Sequence, residues 1–349
     1  MAHNALTTQI INQIKISGAL TIAEFMQICL FDKENGYYTQ ADPFGAAGDF
    51  ITSPEISQCF GEVVALYCLY YLQSTDGEIQ IIELGPGRGL LMHDMLRVFT
   101  KFPEFFARIS IHLVEKSAKL RQLQQEKLQE FGLEVKHYDD FSQIPKKQSF
   151  IISNELLDCL PMQQFEYAQD KWYERKVDYK GEFYFRLIET PASLLYPLLF
   201  LKGSVNKIGD IFEISPATIT LMSEVAAFVK ITKSKALIFD YGYKSYEFKP
   251  TIQAIRSHEY QSVFESLGKQ DLTYLVNFPA IEQTLREGDL CNYTLNNQGE
   301  FLLSLGLESR INMCKKNQSQ EIQDKLDRSL SRLTDKDQMG DLFKVLELG

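Results

Sequence analysis

The chain has 349 residues, and 45% of them are hydrophobic, which suffices for one large domain or two smaller ones around a full core. Its formal net charge of −10 offers no basic field for a phosphate backbone, so nucleic acid is disfavoured as a partner. The six cysteines and five histidines are scattered without ligand spacing, which predicts reduced thiols and no metal site.

Two helices and a polar loop are predicted before the first long strand. Residues 7–17 carry isoleucines at helical spacing, and Thr21 with Glu24 forms a capping-box pattern that opens a second helix. The loop 45–55 is rich in small and polar residues, and Ser53 is expected to be the N-cap of the helix that follows it, with proline at the first helical position. An ordinary connector and a lid over a ligand both fit this composition.

The stretch 79–89 has the pattern of a strand, a tight turn and a helix start. Its apolar run reaches Glu83 and continues into Gly85, Gly87 and Gly89, and an amphipathic helix follows. Glycines at alternate positions let the backbone approach a ligand closely. A dinucleotide fingerprint would place the third glycine one position later, so a dehydrogenase is disfavoured.

Acidic residues end the next two predicted strands. The strand 109–115 closes on Glu115, a carboxylate that can accept two hydrogen bonds from a ribose diol. After a charged amphipathic helix, the strand 133–138 runs into Asp139 and Asp140. One of these aspartates could accept a hydrogen bond from an adenine amino group, and two solvated loop aspartates are the alternative interpretation.

The fourth predicted strand, 149–153, is followed by Asn154, Glu155 and Asp158. In open α/β sheets the carboxyl edge of the strands is where ligands bind, so these residues are candidates for catalysis. Both carboxylates are expected to lie outside the core. The alternative is a helix N-terminus enriched in acidic residues because the helix dipole favours them.

Residues 162–230 interrupt the alternation of strands and helices. Short alternating runs predict β-hairpins, and a helix is expected from the Ser-Pro pair at 215–216 to about residue 230. The strand pattern resumes at 235–240, so this segment is predicted to be an insertion between strands four and five. Further along, the sequence predicts two last strands, 271–277 and 289–295, and tail helices around 322–333 and 340–348.

Five stretches in chain order carry a family resemblance: GDFITSPEISQ (48–58), ELGPGRG (83–89), NELLDCLP (154–161), DYG (240–242) and QMGDLFKVL (338–346). Together they resemble the MidA family of class I S-adenosylmethionine-dependent protein arginine methyltransferases. Its mitochondrial member is an assembly factor of respiratory complex I that makes symmetric dimethylarginine on a complex I subunit. The resemblance spans essentially the whole chain.

The resemblance implies an α/β fold of the class I methyltransferase type, with a Rossmann-like, seven-stranded, mostly parallel sheet. Residues 1–75 are expected to form an N-terminal helical region and cofactor lid, and residues 76–349 the methyltransferase domain with a substrate-binding insertion at about 162–230. In this family the carboxylate that ends the first strand lies near the methionine end of S-adenosylmethionine. The expected cofactor-binding residues are Glu83, Gly85, Gly87, Gly89, Glu115, Asp139, Asp140, Gly48, Asp49, Thr52, Pro54 and Glu55.

A guanidinium substrate would bring a second cation next to the cofactor's sulfonium, which costs several kcal/mol without a counter-charge. Glu155 and Asp158 are expected to supply that counter-charge, with Asn154 beside them. The predicted partner is therefore a protein arginine, in a complex I subunit or its bacterial equivalent. Methylation of another side chain or of a small molecule is the enzymatic alternative, and a non-catalytic cofactor-binding assembly chaperone is the other class.

The sequence has no apolar run of membrane-spanning length and no signal-peptide core after Met1. Its first arginine is Arg88, which argues against an Arg-rich transit peptide. We therefore expect no membrane insertion and a cytoplasmic location in a bacterium, or the mitochondrial matrix for a mature eukaryotic form. A homodimer is compatible with the sequence.

Overall fold

The computed structural model describes residues 4–40, 51–190, 207–256, 259–289 and 292–349. The chain forms two compact units. The first unit comprises Met1–Phe50, Leu157–Met222 and Gly242–Gly288, and the second unit comprises Ile51–Leu156, Ser223–Tyr241 and Asp289–Gly349. The domain boundary expected after residue 75 stays a prediction.

Strands account for much of both units. Numbered in chain order, they are β1 Leu20–Thr21, β2 Ile79–Leu84, β3 Ile109–Val114, β4 Val135–Tyr138, β5 Ser149–Asn154, β6 Gln163–Ala168, β7 Lys171–Tyr179, β8 Phe183–Glu189, β9 Ile211–Ile214, β10 Lys235–Tyr243, β11 Gln253–Arg256, β12 Glu259–Gln261, β13 Asp271–Thr273, β14 Val276–Asn277, β15 Tyr293–Asn297 and β16 Phe343–Leu348. The hairpins predicted in the insertion are present as β6, β7 and β8.

Helices precede, separate and follow these strands. They are α1 Ala5–Ser17, α2 Ile22–Phe31, α3 Tyr37–Gln40, α4 Ser53–Ile56, α5 Gln58–Leu72, α6 Leu90–Phe99, α7 Pro103–Phe106, α8 Ala118–Leu128, α9 Pro216–Thr232, α10 Phe278–Glu287, α11 Gln298–Ser304, α12 Leu307–Lys315, α13 Gln320–Thr334 and α14 Met339–Leu342. Short 3₁₀ turns lie at Gln129–Phe131, Phe141–Gln143 and Leu157–Cys159. In the part of the chain that is described, no helix combines the length and apolar character needed to cross a bilayer.

The second unit is built on one mostly parallel sheet with strand order β15-β16-β10-β5-β2-β3-β4. Strand β16 runs antiparallel to both of its neighbours, and the other neighbouring pairs on this path are parallel. Phenylalanines from helix and sheet, including Phe60, Phe99, Phe150 and Phe239, are fully buried in its core. Each such side chain contributes about 1.5–3 kcal/mol by leaving water. The sheet confirms the predicted α/β class and brings the carboxyl ends of β2, β3, β4, β5 and β10 to one edge.

The first unit is antiparallel. One sheet has the order β1-β7-β6-β9 with β8 paired to β7, and a second, three-stranded sheet has the order β12-β11-β13. The predicted capping box at the start of α2 is confirmed, because Thr21 N donates to the Glu24 carboxylate (2.8 Å) and Glu24 N donates to the Thr21 hydroxyl (3.1 Å). Local polar residues therefore set the start of this helix as the sequence predicted.

Three local predictions were wrong. The tail segment 340–348, predicted as a helix, is mostly strand β16, because its short apolar run is buried between β10 and β15 and such runs carry no decisive period. The stretch 271–277 is divided between β13, which pairs with β11, and β14, whose Val276 pairs with Gly242. Thr52 is the N-cap of α4, so Ser53 becomes the first helical residue.

Candidate active site

The turn after β2 is the glycine-rich part of the site. Gly85, Gly87 and Gly89 have φ of 65°, 51° and 75°, a left-handed conformation that costs glycine little and other residues about 1 kcal/mol or more. The amide of Gly89 donates to Pro86 O (2.7 Å), and Gln124 Nε2 donates to Gly87 O (2.7 Å). The turn is thereby fixed, and it delivers the N-terminus of α6 to the carboxyl edge of the sheet.

Glu83 is the penultimate residue of β2, one residue before this turn. Its side chain is 3% exposed, and the backbone N–H of Met92 in the first turn of α6 donates to its carboxyl group. Among the described residues, its Oε2 is buried without a hydrogen-bond partner. Burial raises the pKa of Glu83 to about 8 despite the Met92 contact. The carboxyl group therefore lacks a donor or cation that would complete its bonding.

Glu115 and Asp139 are brought together by one arginine. Arg121 donates through Nε to Glu115 O (2.6 Å) and through Nη2 to Asp139 Oδ1 (2.6 Å). The Glu115 carboxylate accepts from Ser117 N (2.7 Å), and burial raises its pKa. The side-chain and backbone hydrogen bonds from Ser142 lower the pKa of Asp140, whose carboxylate caps a 3₁₀ turn. Each of these acids thus has a local structural partner, and their adenosine contacts stay predictions.

Glu155 follows β5 and is held by two donors on one oxygen. Ser53 N donates to Glu155 Oε1 over 2.9 Å, and Asn154 Nδ2 donates to the same atom over 2.8 Å. The structure thus brings together the predicted Asn154 and Glu155 with Ser53, a contact that sequence reasoning missed. Within the described part of the chain, Ser53 Oγ and Asn154 Oδ1 are buried without a hydrogen-bond partner. Polar atoms that need partners therefore lie at the ends of β2 and β5 and at the start of α4.

The backbone of Glu155 is fixed in an unusual conformation. Its φ is 55°, which is uncommon for a residue other than glycine. Glu155 N donates to Phe239 O (2.9 Å), and Leu156 N donates to Asp240 Oδ2 (3.1 Å), so β10 fixes this backbone. Asp240 is fully buried. No role was predicted for it from the sequence, although it ends the predicted strand 235–240 and such a position could have suggested a functional residue. Left-handed residues held in this way cluster at functional sites.

The predicted lid is only partly described. Gly48 and Asp49 lie outside the described residues. Glu55 Oε2 accepts the N–H of Thr52 (3.0 Å), so these two residues form the cap of α4, and Pro54 is buried in its first turn. Their predicted contact with the cofactor stays a prediction, but their role in starting α4 is visible.

Asp158 belongs to the first unit, whereas Glu155 belongs to the second. The side chain of Asp158 is only 5% exposed, so the expectation that the Asp158 carboxylate lies outside the core was wrong. Its carbonyl oxygen accepts the N–H of Tyr274 (3.1 Å), which ties the 3₁₀ turn to the segment after β13. Three-residue spacing after a strand did not determine the placement of both acids.

The residues of the second unit fit S-adenosylmethionine. The unpaired Glu83 Oε2 suits the cofactor's cationic methionine end, and Glu115, the carboxylate that directly follows β3, suits a ribose diol. The left-handed glycine turn between them exposes backbone rather than side chains. These residues would hold the cofactor, and the methyl group it carries is bound to a positively charged sulfur.

The strand order, the acid-terminated β2 and the glycine turn define the class I methyltransferase type of nucleotide-binding α/β fold. Residues 63–294 match the model of a family described as "Putative S-adenosyl-L-methionine-dependent methyltransferase". The chain belongs to this family, so it is an S-adenosylmethionine-dependent methyltransferase. The predicted family, fold class and cofactor are confirmed.

Relatives with more specific names are similar to this protein over nearly the whole chain. "Protein arginine methyltransferase NDUFAF7, mitochondrial" of Xenopus tropicalis is 31% identical over 99% of this chain and 86% of its own length. The Homo sapiens protein of the same name is 30% identical over 96% of this chain and 81% of its own. A solved structure from Burkholderia thailandensis, bound to S-adenosyl-homocysteine, is 24% identical with a TM-score of 0.86, covering 99% of this chain and 92% of that one, and it has the same fold.

Proposed function

We propose that the chain transfers the methyl group of S-adenosylmethionine to an arginine side chain of a protein. The observation that carries the proposal is the Glu155 carboxylate, held by Ser53 N and Asn154 Nδ2 on a backbone fixed by β10. The relatives named protein arginine methyltransferases support the choice of arginine. Glu83 and Glu115 take the cofactor side of the site in this proposal.

The electrostatic requirement of this reaction assigns a role to Glu155. A guanidinium and a sulfonium are both cations, and bringing them together in one pocket needs a fixed negative charge. Two N–H donors stabilise the charge of the Glu155 carboxylate and fix its orientation. A carboxylate also matches the fork of a guanidinium and can localise lone-pair density on the nitrogen that is to be methylated. Glu155 therefore binds and orients the substrate, and the catalytic role expected of Asp158 stays a prediction.

We further propose which protein carries the methylated arginine. The resemblance to the MidA family supports a subunit of respiratory complex I or its bacterial equivalent, with symmetric dimethylarginine as the product. It follows that the enzyme works where that subunit is assembled, in the bacterial cytoplasm or, for a eukaryotic form, in the mitochondrial matrix. The relatives' names place those proteins in mitochondria.

The test is Glu155→Gln, which keeps the shape of the side chain and removes its charge. We expect methyl transfer to fall by roughly 10²- to 10⁴-fold, because transition-state electrostatics are lost, with little change in S-adenosylmethionine affinity by calorimetry. Glu78→Gln is the matched control, since Glu78 is exposed, precedes β2 at the opposite end of the strand and pairs with Lys147. It removes the same charge and should leave transfer unchanged.

Product analysis separates the competing functions. Mass spectrometry of arginine peptides from the host's complex I, with and without the gene, should show the loss of dimethylarginine at one site. Methylation of another residue type or of a small molecule would contradict the arginine assignment. Tight cofactor binding without any transfer would indicate the assembly chaperone instead. A Glu155→Gln enzyme with full turnover would move the counter-charge elsewhere.

A further inference from the structure

Helix α4 contributes a backbone donor to the proposed catalytic carboxylate. Because Ser53 is the first residue of α4, its N–H has no acceptor within the helix. That N–H points to Glu155 Oε1 over 2.9 Å, across 102 positions of sequence, and Ser53 itself is fully buried. The hydrogen bond therefore uses an otherwise unsatisfied helix donor to hold an acidic side chain from another element.

The position of this donor is itself fixed from two sides. The capping box of Thr52 and Glu55 sets the residue at which α4 begins. At the other end of the helix, Ser329 Oγ of α13 lies within hydrogen-bond distance of Ile56 O (3.1 Å) and shares its one proton between that acceptor and Lys325 O (3.0 Å). A helix of one turn held at both ends keeps the direction of the Ser53 N–H constant.

The carboxylate depends on this donor because its backbone is already fixed. With φ at 55° and Glu155 N bonded to Phe239 O, the main chain cannot adjust the direction of the side chain. The remaining freedom lies in the side-chain torsions, and Ser53 N and Asn154 Nδ2 restrain them through one oxygen. If one donor is lost, the orientation of the Glu155 carboxylate is less restrained, although the carboxylate stays in the site.

We propose that Ser53 is a positioning residue for methyl transfer, acting through its backbone N–H on the Glu155 carboxylate. The proposal rests on the proposed function, because it takes Glu155 as the group that orients the substrate guanidinium. Ser53 acts on the alignment of the reacting groups, so its effect falls on kcat. Misplacement by about 1 Å can cost about 10²-fold when the reaction depends on positioning.

The structure allows the N–H to be deleted without breaking the helix. Proline is accepted at the first helical position, where the N–H has no helical acceptor. The preceding residue must be extended, and Thr52 already is, with φ −77° and ψ 163°. Ser53→Pro thus removes both the N–H and the hydroxyl and places Cδ where the N–H hydrogen faced Glu155 Oε1, while Ser53→Ala removes only the hydroxyl. The ratio of their activities reports the N–H together with this added carbon, and replacing Ser53 with lactic acid, compared with Ser53→Ala, reports the N–H alone.

We expect kcat of Ser53→Pro to be about 10- to 100-fold below that of Ser53→Ala, the loss typical of one hydrogen bond to a charged group. Calorimetry should give the two variants the same S-adenosylmethionine affinity within about twofold. In the dependence of kcat on pH, the fall on the acidic side should move to higher pH in Ser53→Pro. The reason is that the Glu155 carboxylate binds a proton more tightly when it loses a hydrogen-bond donor. A merely structural role of Ser53 would not move that fall.

Equal kcat in the two variants, or an unmoved fall of kcat on the acidic side, would overturn the proposal. If Ser53→Pro does not fold, lactic acid incorporated at position 53 by nonsense suppression gives the ester of Ser53→Ala and makes the same comparison. Glu155→Gln distinguishes the two levels of the argument. An inactive Glu155→Gln with equal Ser53 variants refutes only the positioning role, whereas a fully active Glu155→Gln refutes the proposed function itself.

Discussion

Replacing Glu83 with glutamine should remove a pH dependence that the fold imposes on the cofactor-free protein. Burial raises the pKa of Glu83 to about 8, from an ordinary value of 4.5. Between these two values the folded protein keeps a proton that the unfolded chain has released. The contribution of Glu83 to the free energy of unfolding therefore falls as pH rises from about 4.5 to about 8 and is constant beyond that range. Glutamine has no proton to lose.

The magnitude follows from the two pKa values. Each unit of difference between the folded and unfolded pKa corresponds to about 1.4 kcal/mol, so Glu83 can account for about 5 kcal/mol at most. Urea denaturation of both proteins between pH 4.5 and 9 isolates this amount, since all other titrating groups are shared. The wild-type free energy of unfolding, relative to that of Glu83→Gln, should decrease across the range. A difference that does not vary with pH would refute the assignment.

The same linkage predicts how cofactor binding depends on pH. A cation placed against Glu83 Oε2 favours the ionised carboxylate, so binding at pH 7 should release a proton from most wild-type molecules. Calorimetry in two buffers of different ionisation enthalpy measures this release directly. In Glu83→Gln the release should disappear and the affinity should fall about 10- to 100-fold, the loss of one charge-assisted hydrogen bond. Unchanged release in the variant would place the cation elsewhere.

Two further predictions concern the backbone of the site. Gly85→Ala should lower the free energy of unfolding by about 2–4 kcal/mol, because it combines a φ of 65° with a new Cβ only 2.8 Å from Leu156 Cδ1. The control is Gly77→Ala, where φ is 82° but no atom lies within 4 Å, and it should cost only about 1 kcal/mol in the same urea experiment; equal losses would refute the steric argument. Glu155→Gly should be about 1 kcal/mol more stable than Glu155→Ala, since only the alanine variant retains the strain of φ 55°, and the reverse order would show that this backbone relaxes.

The predictable parts of the fold are those with strong local signals. Thr21 and Glu24 form a capping box, and a tight turn joins β2 to α6, so both features were predicted correctly from short stretches. The alternating runs of the insertion likewise became hairpins, because a period of two belongs to half-buried strands. In each case neighbouring residues alone determine the conformation.

The parts that escaped prediction depend on distant segments. The apolar run of β16 is a strand because it completes a sheet between β10 and β15, and its own sequence does not distinguish that outcome from a helix. The contact between Ser53 and Glu155 joins residues 102 positions apart, so no local pattern could predict it. Asp158 carried the same local signal as Glu155 and yet is buried, whereas Glu155 is only half-buried. Tertiary pairing decides these positions.

This distinction changes what the glycine motif proves. All three glycines of the turn have positive φ, so the turn would need them even in a protein that bound no ligand. The motif therefore establishes the geometry of the turn. Ligand binding is indicated instead by buried polar atoms that have no hydrogen-bond partner in the described part of the fold. Glu83 Oε2, Ser53 Oγ and Asn154 Oδ1 are such groups, because burying a polar atom without a partner costs about 1–3 kcal/mol each. A structure that tolerates these costs near the edge where β2 and β5 end is one in which a ligand provides the missing hydrogen bonds.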